Sequence, residues 1–543
     1  MMAARIGRGI AVAIPAAFLA LFFLLPVAAL IVNGLLPGER IPGIPAGDPI
    51  LEILARPETI RAVYRTIGQA LVATVIAVVL GVPGAFVLYR TTFPGRRLLR
   101  AVVAVPFVLP TVVVGVAFRA VLAPSGMFGF LGLDRTAWSL VAALVFFNYS
   151  VVVRMVGPAW AALDPRAEQA ARTLGAGPWR ALRTVTLPAL APAIGSAAAL
   201  VALFCMTSYG IVRSLGPIGW STIETQIWQL ATRNLDLRGA AVLSIVQILV
   251  VVATMVLAGR FRSAPPRLRP HPPERLRLTS PRHLPAALLT ALVVVALIAA
   301  PMVGLVQRSL TGANGELTWQ NYRNLAGTGN GALPRSVWDA TELSLRAAVD
   351  ATVIAMVIGL LAAIVIARSR GGSALDTLVM LPIGVSAVTV GFGFILLAGW
   401  LPFDVRGNPV LVPIAQAVVA VPLVVRTVVP VLRSVHPRQR EAASTLGATP
   451  LRVLRTIDGP HLLRAGGVAL GFAFAVSMGE FGATSFLARS TDPTLPVAVV
   501  RLLSRPGAES LGTGMAAAVV LAAITASVMA IAERARAEGD AGW

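Results

Sequence analysis

The chain has 543 residues, 57% of them hydrophobic and only 13% charged, with a net charge of +22 and a mean hydropathy of +0.80. A soluble chain carries about 25% charged residues, so this composition excludes both a soluble enzyme and a polar disordered chain. All 46 basic residues are arginine, which excludes every mechanism that needs a lysine: a phosphate-gripping P-loop, a Schiff base or a Ser-Lys dyad.

A helix needs about 20 apolar residues to cross roughly 30 Å of hydrocarbon. Runs of that length predict an all-α integral membrane protein of about twelve spans. In the first half they cover 10–36, 66–89, 101–122, 137–157, 192–215 and 238–258. In the second they cover 286–306, 344–367, 378–400, 411–432, 466–488 and 511–532. The first run is longer than the 7–15 residues of a signal-peptide core and reads as a retained span. Pro106, Pro110 and Pro382 interrupt the third and ninth spans, which membrane helices tolerate when neighbours satisfy the freed carbonyls. Arginine is in strong excess over acids on one side of this layout and nearly balanced on the other. By the positive-inside rule both termini are cytoplasmic. The net charge thus follows topology, and nucleic-acid binding is not indicated.

Gly259–Pro285 carries seven Arg and seven Pro, a composition that forms no packed core. It reads as a cytoplasmic linker between a first module, 1–258, and a second, 286–543. The modules repeat. Thr74 and Arg90 recur as Thr352 and Arg368 at an offset of 278, Pro106 and Gly115 as Pro382 and Gly391 at 276, and Arg154, Pro165, Gly175 and Pro188 as Arg426, Pro437, Gly447 and Pro460 at 272. Six spans is an even number, so both modules share one orientation, as parallel repeats do. Such an arrangement points to a transporter.

Two cytoplasmic loops, about 158–190 and 433–465, share one pattern. Asp164-Pro165 leads through Glu168-Gln169-Ala170-Ala171 to Gly175 and Pro178. His436-Pro437 leads through Glu441-Ala442-Ala443 to Gly447 and Pro450. Proline at the first helical position and glycine after the last predict two short helices meeting at a glycine. Paired alanines and a leucine form a small apolar face suited to a groove on another protein.

On these loops the chain resembles the permease subunits of binding-protein-dependent ABC importers, whose hallmark is E-A-A, three residues, G, nine residues, I, one residue, L-P. Glu441-Ala442-Ala443, Gly447, Ile457 and Pro460 fit it, as do Gln169-Ala170-Ala171, Gly175, Val185, Leu187 and Pro188; Gln169 stands at the acidic position and Gly459 replaces a leucine. Two fused copies resemble the ferric-iron and thiamine permeases, as do Phe146-Phe147-Asn148, Thr222-Ile223-Glu224 and Thr494-Leu495-Pro496. The resemblance implies a multi-pass protein of the bacterial cell membrane that moves a small solute, ferric iron or thiamine, inward. It implies an extracytoplasmic solute-binding protein and two ATP-binding cassette subunits as partners. ATP is then used by those partners, and this chain binds no cofactor or metal and is not itself an enzyme. The coupling residues carried over are Glu168, Gln169, Ala170, Ala171 and Gly175, with Glu441, Ala442, Ala443 and Gly447.

For the solute pathway, Ser208-Tyr209-Gly210 pairs with Glu480-Phe481-Gly482 at the 272 offset. Glu480 is a carboxylate within an apolar run, a functional-site hypothesis by default. Ser208, Tyr209 and Ser477 accompany it as pathway residues, with Thr207 and Thr484 as weaker ones. Arg154 and Arg426, near inner span ends, read first as snorkelling anchors. The alternative class is a secondary transporter of the major-facilitator type, which shares twelve spans, inner termini and a basic central loop. The paired loops discriminate against it. The spans hold no HExxH, paired aspartate or serine-histidine arrangement for an intramembrane enzyme.

Overall fold

The computed structural model describes residues 2–36, 48–260, 276–278, 283–312, 314–329, 331–368, 372–401 and 408–541. Most of the expected linker, 259–285, lies outside them. Ten helices are long and apolar enough to cross a bilayer: Ala11–Leu35, Pro57–Arg90, Ala137–Ala161, Pro178–Met206, Leu237–Leu257, Leu284–Ser309, Val337–Arg368, Leu411–Ser434, Leu451–Gly479 and Ala508–Ala532. The third and ninth spans are bent pairs, Arg96–Val108 with Thr111–Leu122 at 109° and Gly372–Gly384 with Ala387–Trp400 at 97°. Contacts at the two ends of the third show that it traverses the molecule. Arg100 donates to the Leu88 carbonyl at 2.8 Å, at the end where Arg90 closes the second span, whereas Arg119 donates to Leu503 and Ser125 meets Arg308 at the opposite end.

The helices exist because hydrocarbon offers no partner for backbone polar groups, so each span must satisfy its own. Side-chain size then sets their faces. On the second span Leu71, Val75 and Val79 are exposed while Ala70, Ala73 and Ala77 are buried. On the eighth, at the 278 offset, Val349, Val353 and Val357 are exposed while Ala348, Ala351 and Ala355 are buried. The bulky stripe faces outward and the alanine stripe lets neighbouring backbones approach. Close approach recurs at Gly81, where an added Cβ would lie 2.7 Å from Val152, and at its equivalent Gly359, at the same distance from Val424.

First spans are exchanged between the modules. The first span packs along the eighth and the second limb of the ninth, and the seventh packs along the second and the second limb of the third. Leu19 and Phe23 accordingly belong to the core of the second module, and Val293, Val294 and Ile298 to that of the first. A third core, which includes Tyr209, Ile223, Val388 and Phe481, joins the modules.

Two expectations are corrected here. The fifth and eleventh spans do not run through to 215 and 488. They end at Met206 and Gly479, and short helices Tyr209–Leu215 and Thr484–Leu487 follow. The second short helix of each loop is likewise not separate: Pro178 and Pro450 open the fifth and eleventh spans, joined through single π-type turns at Leu182–Thr186 and Leu454–Asp458.

Candidate functional site

The two loops that follow the fourth and tenth spans lie at the end of the molecule where the second and eighth spans close. In the first, Asp164 accepts the Arg166 amide at 2.9 Å and Pro165 opens a helix, Pro165–Thr173. In the second, His436 Nδ1 accepts the Arg438 amide at 3.2 Å ahead of Pro437–Thr445. Both helices end in the same double-bonded turn. The amides of Gly175 and Ala176 donate to Arg172 and Ala171, and those of Gly447 and Ala448 donate to Ser444 and Ala443, all at 3.0 Å. This closure needs a residue in the left-handed region, and Gly175 and Gly447 have φ of +85° and +80°. Gln169, Ala170, Glu441 and Ala442 are exposed, while Glu168, Ala171 and Ala443 are half-buried. Beside each glycine an apolar side chain stands uncovered: Leu174 is 87% exposed and Leu446 88%. Two matched leucines in water, each on a rigid knob, form the kind of anchor a protein partner covers.

The loops differ in how they are tied down. Asp458, fully buried in the second loop, takes Arg440 at 2.8 Å and Arg368 at the end of the eighth span. In the first loop Thr186 and Glu168 stand at the positions of Asp458 and Arg440. There Glu168 pairs instead with Arg172 at 2.7 Å, on its own helix. Arg90, the equivalent of Arg368, is buried with Nε and Nη1 unpartnered among the described residues.

The residues expected to line a pathway lie where broken spans meet. Gly210 packs against Thr111 and Gly482 against Ala387 and Val388, so the break of each fifth-type span seats on the bend of the third-type span in its own module. The corners of the bends, Pro110 and Ser386, are repeat equivalents and reach across: Pro110 touches Gly479, and Ser386 bonds Glu224. Between them the rings of Tyr209 and Phe481 stack, centroids 5.1 Å apart and 17° from parallel. The structure therefore brings Tyr209 to the boundary between the modules. Ser208 donates to the Cys205 carbonyl at 2.9 Å and accepts from Gln69 at 3.3 Å. Ser477, the equivalent of Cys205, is fully buried with its hydroxyl unpartnered among the described residues. Glu480 is turned back on its own chain, accepting the amides of Ala483 at 2.7 Å and Thr484 at 3.0 Å. Thr484 donates to the Glu480 carbonyl and Thr207 to that of Leu203. Arg154 lies over the Phe107 ring at 5.3 Å and Arg426 donates to Met380 sulfur at 2.9 Å, each holding the first limb of a bent pair.

Sequence reasoning passed over Glu224. It was read only as part of the Thr222-Ile223-Glu224 resemblance, in the short segment after the fifth span that carries no apolar signal of membrane depth, and its contact across the modules is what marks it as a site residue. A readable sign was the exchange of an acid for Pro496 at the same repeat position.

Comparison with known proteins finds relatives in sequence. The family described as "Binding-protein-dependent transport system inner membrane component" matches residues 73–264 and again 355–536. The thiamine transport system permease protein of Brucella abortus (strain 2308) is 27% identical over 502 residues, 87% of each chain. The protein of the same description from Salmonella typhimurium is 27% identical over 79% of this chain and 80% of its own. A sulfate transport system permease protein of Escherichia coli is 33% identical over 183 residues, 32% of this chain and 66% of its own. Among solved structures, a bacterial ABC transporter that imports alginate aligns with 44% of this chain and 87% of its own, at a TM-score of 0.37 and 16% identity. A major-facilitator transporter finds no support in these matches.

Proposed function

The chain belongs to the family of binding-protein-dependent transport system inner membrane components, and on that premise we propose that this ABC importer permease carries thiamine into a bacterial cell. The observation behind this reading is coverage. The thiamine permeases align along both modules, whereas the sulfate permease aligns with about a third of the chain. Thiamine bears a positively charged ring, and a buried carboxyl group at the module boundary suits a cation better than the sulfate anion. Each module, 1–258 and 286–543, supplies half of the pathway and one coupling loop. The linker and both termini are cytoplasmic.

Two ATP-binding cassette subunits then seat the knobs carrying Leu174 and Leu446 from the cytoplasm, and a solute-binding protein delivers thiamine outside. Closure of the ATPases on ATP moves the knobs. Because the fifth and eleventh spans open at Pro178 and Pro450, directly after the glycine turn that closes each knob, and run on through one π-type turn, that motion reaches the breaks at Thr207–Ser208 and Glu480–Ala483 along one helix. Modules that rock about the shared core open the boundary alternately to each side. Glu480, bonded to two backbone amides, braces the break beside the pathway and does not itself meet solute.

The direct test is uptake by proteoliposomes holding the permease with its ATPase subunits and binding protein. Labelled thiamine should accumulate with ATP and not without it. Accumulation of ferric iron or sulfate in its place would overturn the substrate. Uptake driven by a proton gradient without ATP would overturn the mechanism.

A further inference from the structure

We propose that Glu224 and the stacked rings of Tyr209 and Phe481 form a station for one aromatic organic cation on the path between the modules. This rests on the reading of the chain as a permease for such a solute.

A carboxylate in the first turn of a short helix has an ordinary explanation, the helix N-terminus, but here that role is taken. Thr222 caps Ile223–Thr232, and Thr225 closes the box by accepting the Thr222 amide at 2.8 Å. Glu224 instead reaches out of its module to the Ser386 hydroxyl at the corner of the ninth span, with the Tyr209 amide facing the carboxylate. It is 1% exposed, and its Oε2 has no hydrogen-bonding partner among the described residues. A buried charge is costly unless it is paired, and no ion pair is found for Glu224 among those residues. The arginines of this region, Arg213 and Arg233, lie over the Trp228 ring at 4.9 and 5.6 Å. The carboxyl group is therefore an acceptor with spare capacity at a boundary that must open for transport.

Beside it stand two aromatic faces supplied by repeat-equivalent positions, one from each module. Aromatic faces attract cations and stack on flat rings. A planar ring carrying positive charge engages both elements at once: its charge meets Oε2 and its face takes the place one ring offers the other in the closed state. Tyr209 and Phe481 are 3% and 5% exposed, so the station is shut in this conformation. Parting the modules separates the rings and uncovers the carboxylate together. Since Pro496 stands opposite Glu224 in the repeat, there is one such carboxylate and one cation at a time.

The test uses the permease assembled with its ATPase subunits, nucleotide-free and vanadate-trapped. The probes are 3-benzylthiazolium and its neutral isostere 3-benzylthiophene, read by equilibrium binding alongside thiamine uptake. The wild type should bind the cation saturably and prefer it to the isostere. Glu224→Gln should weaken cation binding roughly tenfold and erase the preference, while Glu224→Asp keeps part of it. Should Glu224→Gln fail to assemble, Phe481→Leu carries the decision: it leaves Glu224 in place, removes an aromatic face, and should weaken both probes. Absence of saturable cation binding in the wild type, or equal affinity in the variants, overturns the station. Glu224-dependent cation binding without thiamine uptake keeps the station and overturns the substrate. Thiamine uptake with Glu224-independent binding does the reverse.

Discussion

Asp458 holds two arginines from two elements while fully buried, and its neighbours in the other module show what it replaces. Removing one partner of a buried ion pair leaves an uncompensated charge, at a cost of about 3–5 kcal/mol. Arg368 and Arg440 are 27% and 22% exposed, which places Asp458→Asn at the lower end. We expect about 3 kcal/mol of lost stability, read as a lower melting temperature in detergent, with the second loop more open to proteolysis than the first. Thr186→Asp is the converse experiment. It offers Arg90 the partner that Arg368 has, and it should raise the melting temperature; an unchanged or lower value would show that Arg90 is satisfied without it. Acids were only half legible in the sequence. Glu480 stood out because its run is apolar, yet its task depends on where the chain turns, and the turn at 480–483 that brings two amides to it leaves no mark in hydropathy. Glu480→Gln keeps one carbonyl acceptor of two, so it should lose about 1 kcal/mol and retain ATP-driven uptake. Uptake lost from a fully assembled variant would return Glu480 to the pathway.

At the scale of elements, the proline and glycine positions announced the loops but not the angles. Pro165, Gly175, Pro437 and Gly447 allowed the first short helix of each loop to be read, because first-turn proline and left-handed glycine act through local geometry. The bends of 109° and 97° were not readable from Pro106, Pro110 and Pro382. Those depend on Gly210 and Gly482 seating against the corners from another span. The glycine turns give the sharpest test. Proline fixes φ near −65°, against +80° at Gly447, so Gly447→Pro should abolish ATP-driven uptake while the spans still insert. Gly447→Ala, which costs about 1–2 kcal/mol in this conformation, should give intermediate coupling. Gly175 should behave alike in both substitutions. Undiminished uptake in Gly447→Pro would rule out the loop as the coupling element.

The whole molecule was legible as a duplication because the offsets of 278, 276 and 272 survive in sequence and return as contacts: the Ile223 amide donates to the Thr66 hydroxyl at 2.9 Å, and the Leu495 amide donates likewise to the Ser344 hydroxyl at 2.6 Å. Orientation is a prediction at this scale. Single cysteines placed in 259–285 of a Cys205→Ala background should react only with reagent on the cytoplasmic side; reaction from outside intact cells would invert the topology. The exchange of first spans was not legible. An apolar stripe states that it will be covered and carries no address for what covers it, and the residues concerned lie hundreds of positions apart.

That exchange has a consequence in time. A ribosome releases the first span long before the eighth and ninth exist, so Leu19 and Phe23 must wait in lipid for a core that has not been made. The seventh span, by contrast, emerges to find the second and third already in place. Biogenesis of this chain thus has a built-in order: the second module arrives as the template on which the oldest segment finally settles. A nascent chain stalled after the linker would hold the Leu25–Leu35 end of its first helix on the sixth span, while the end around Leu19 and Phe23 would stay uncovered and open to quality-control proteases.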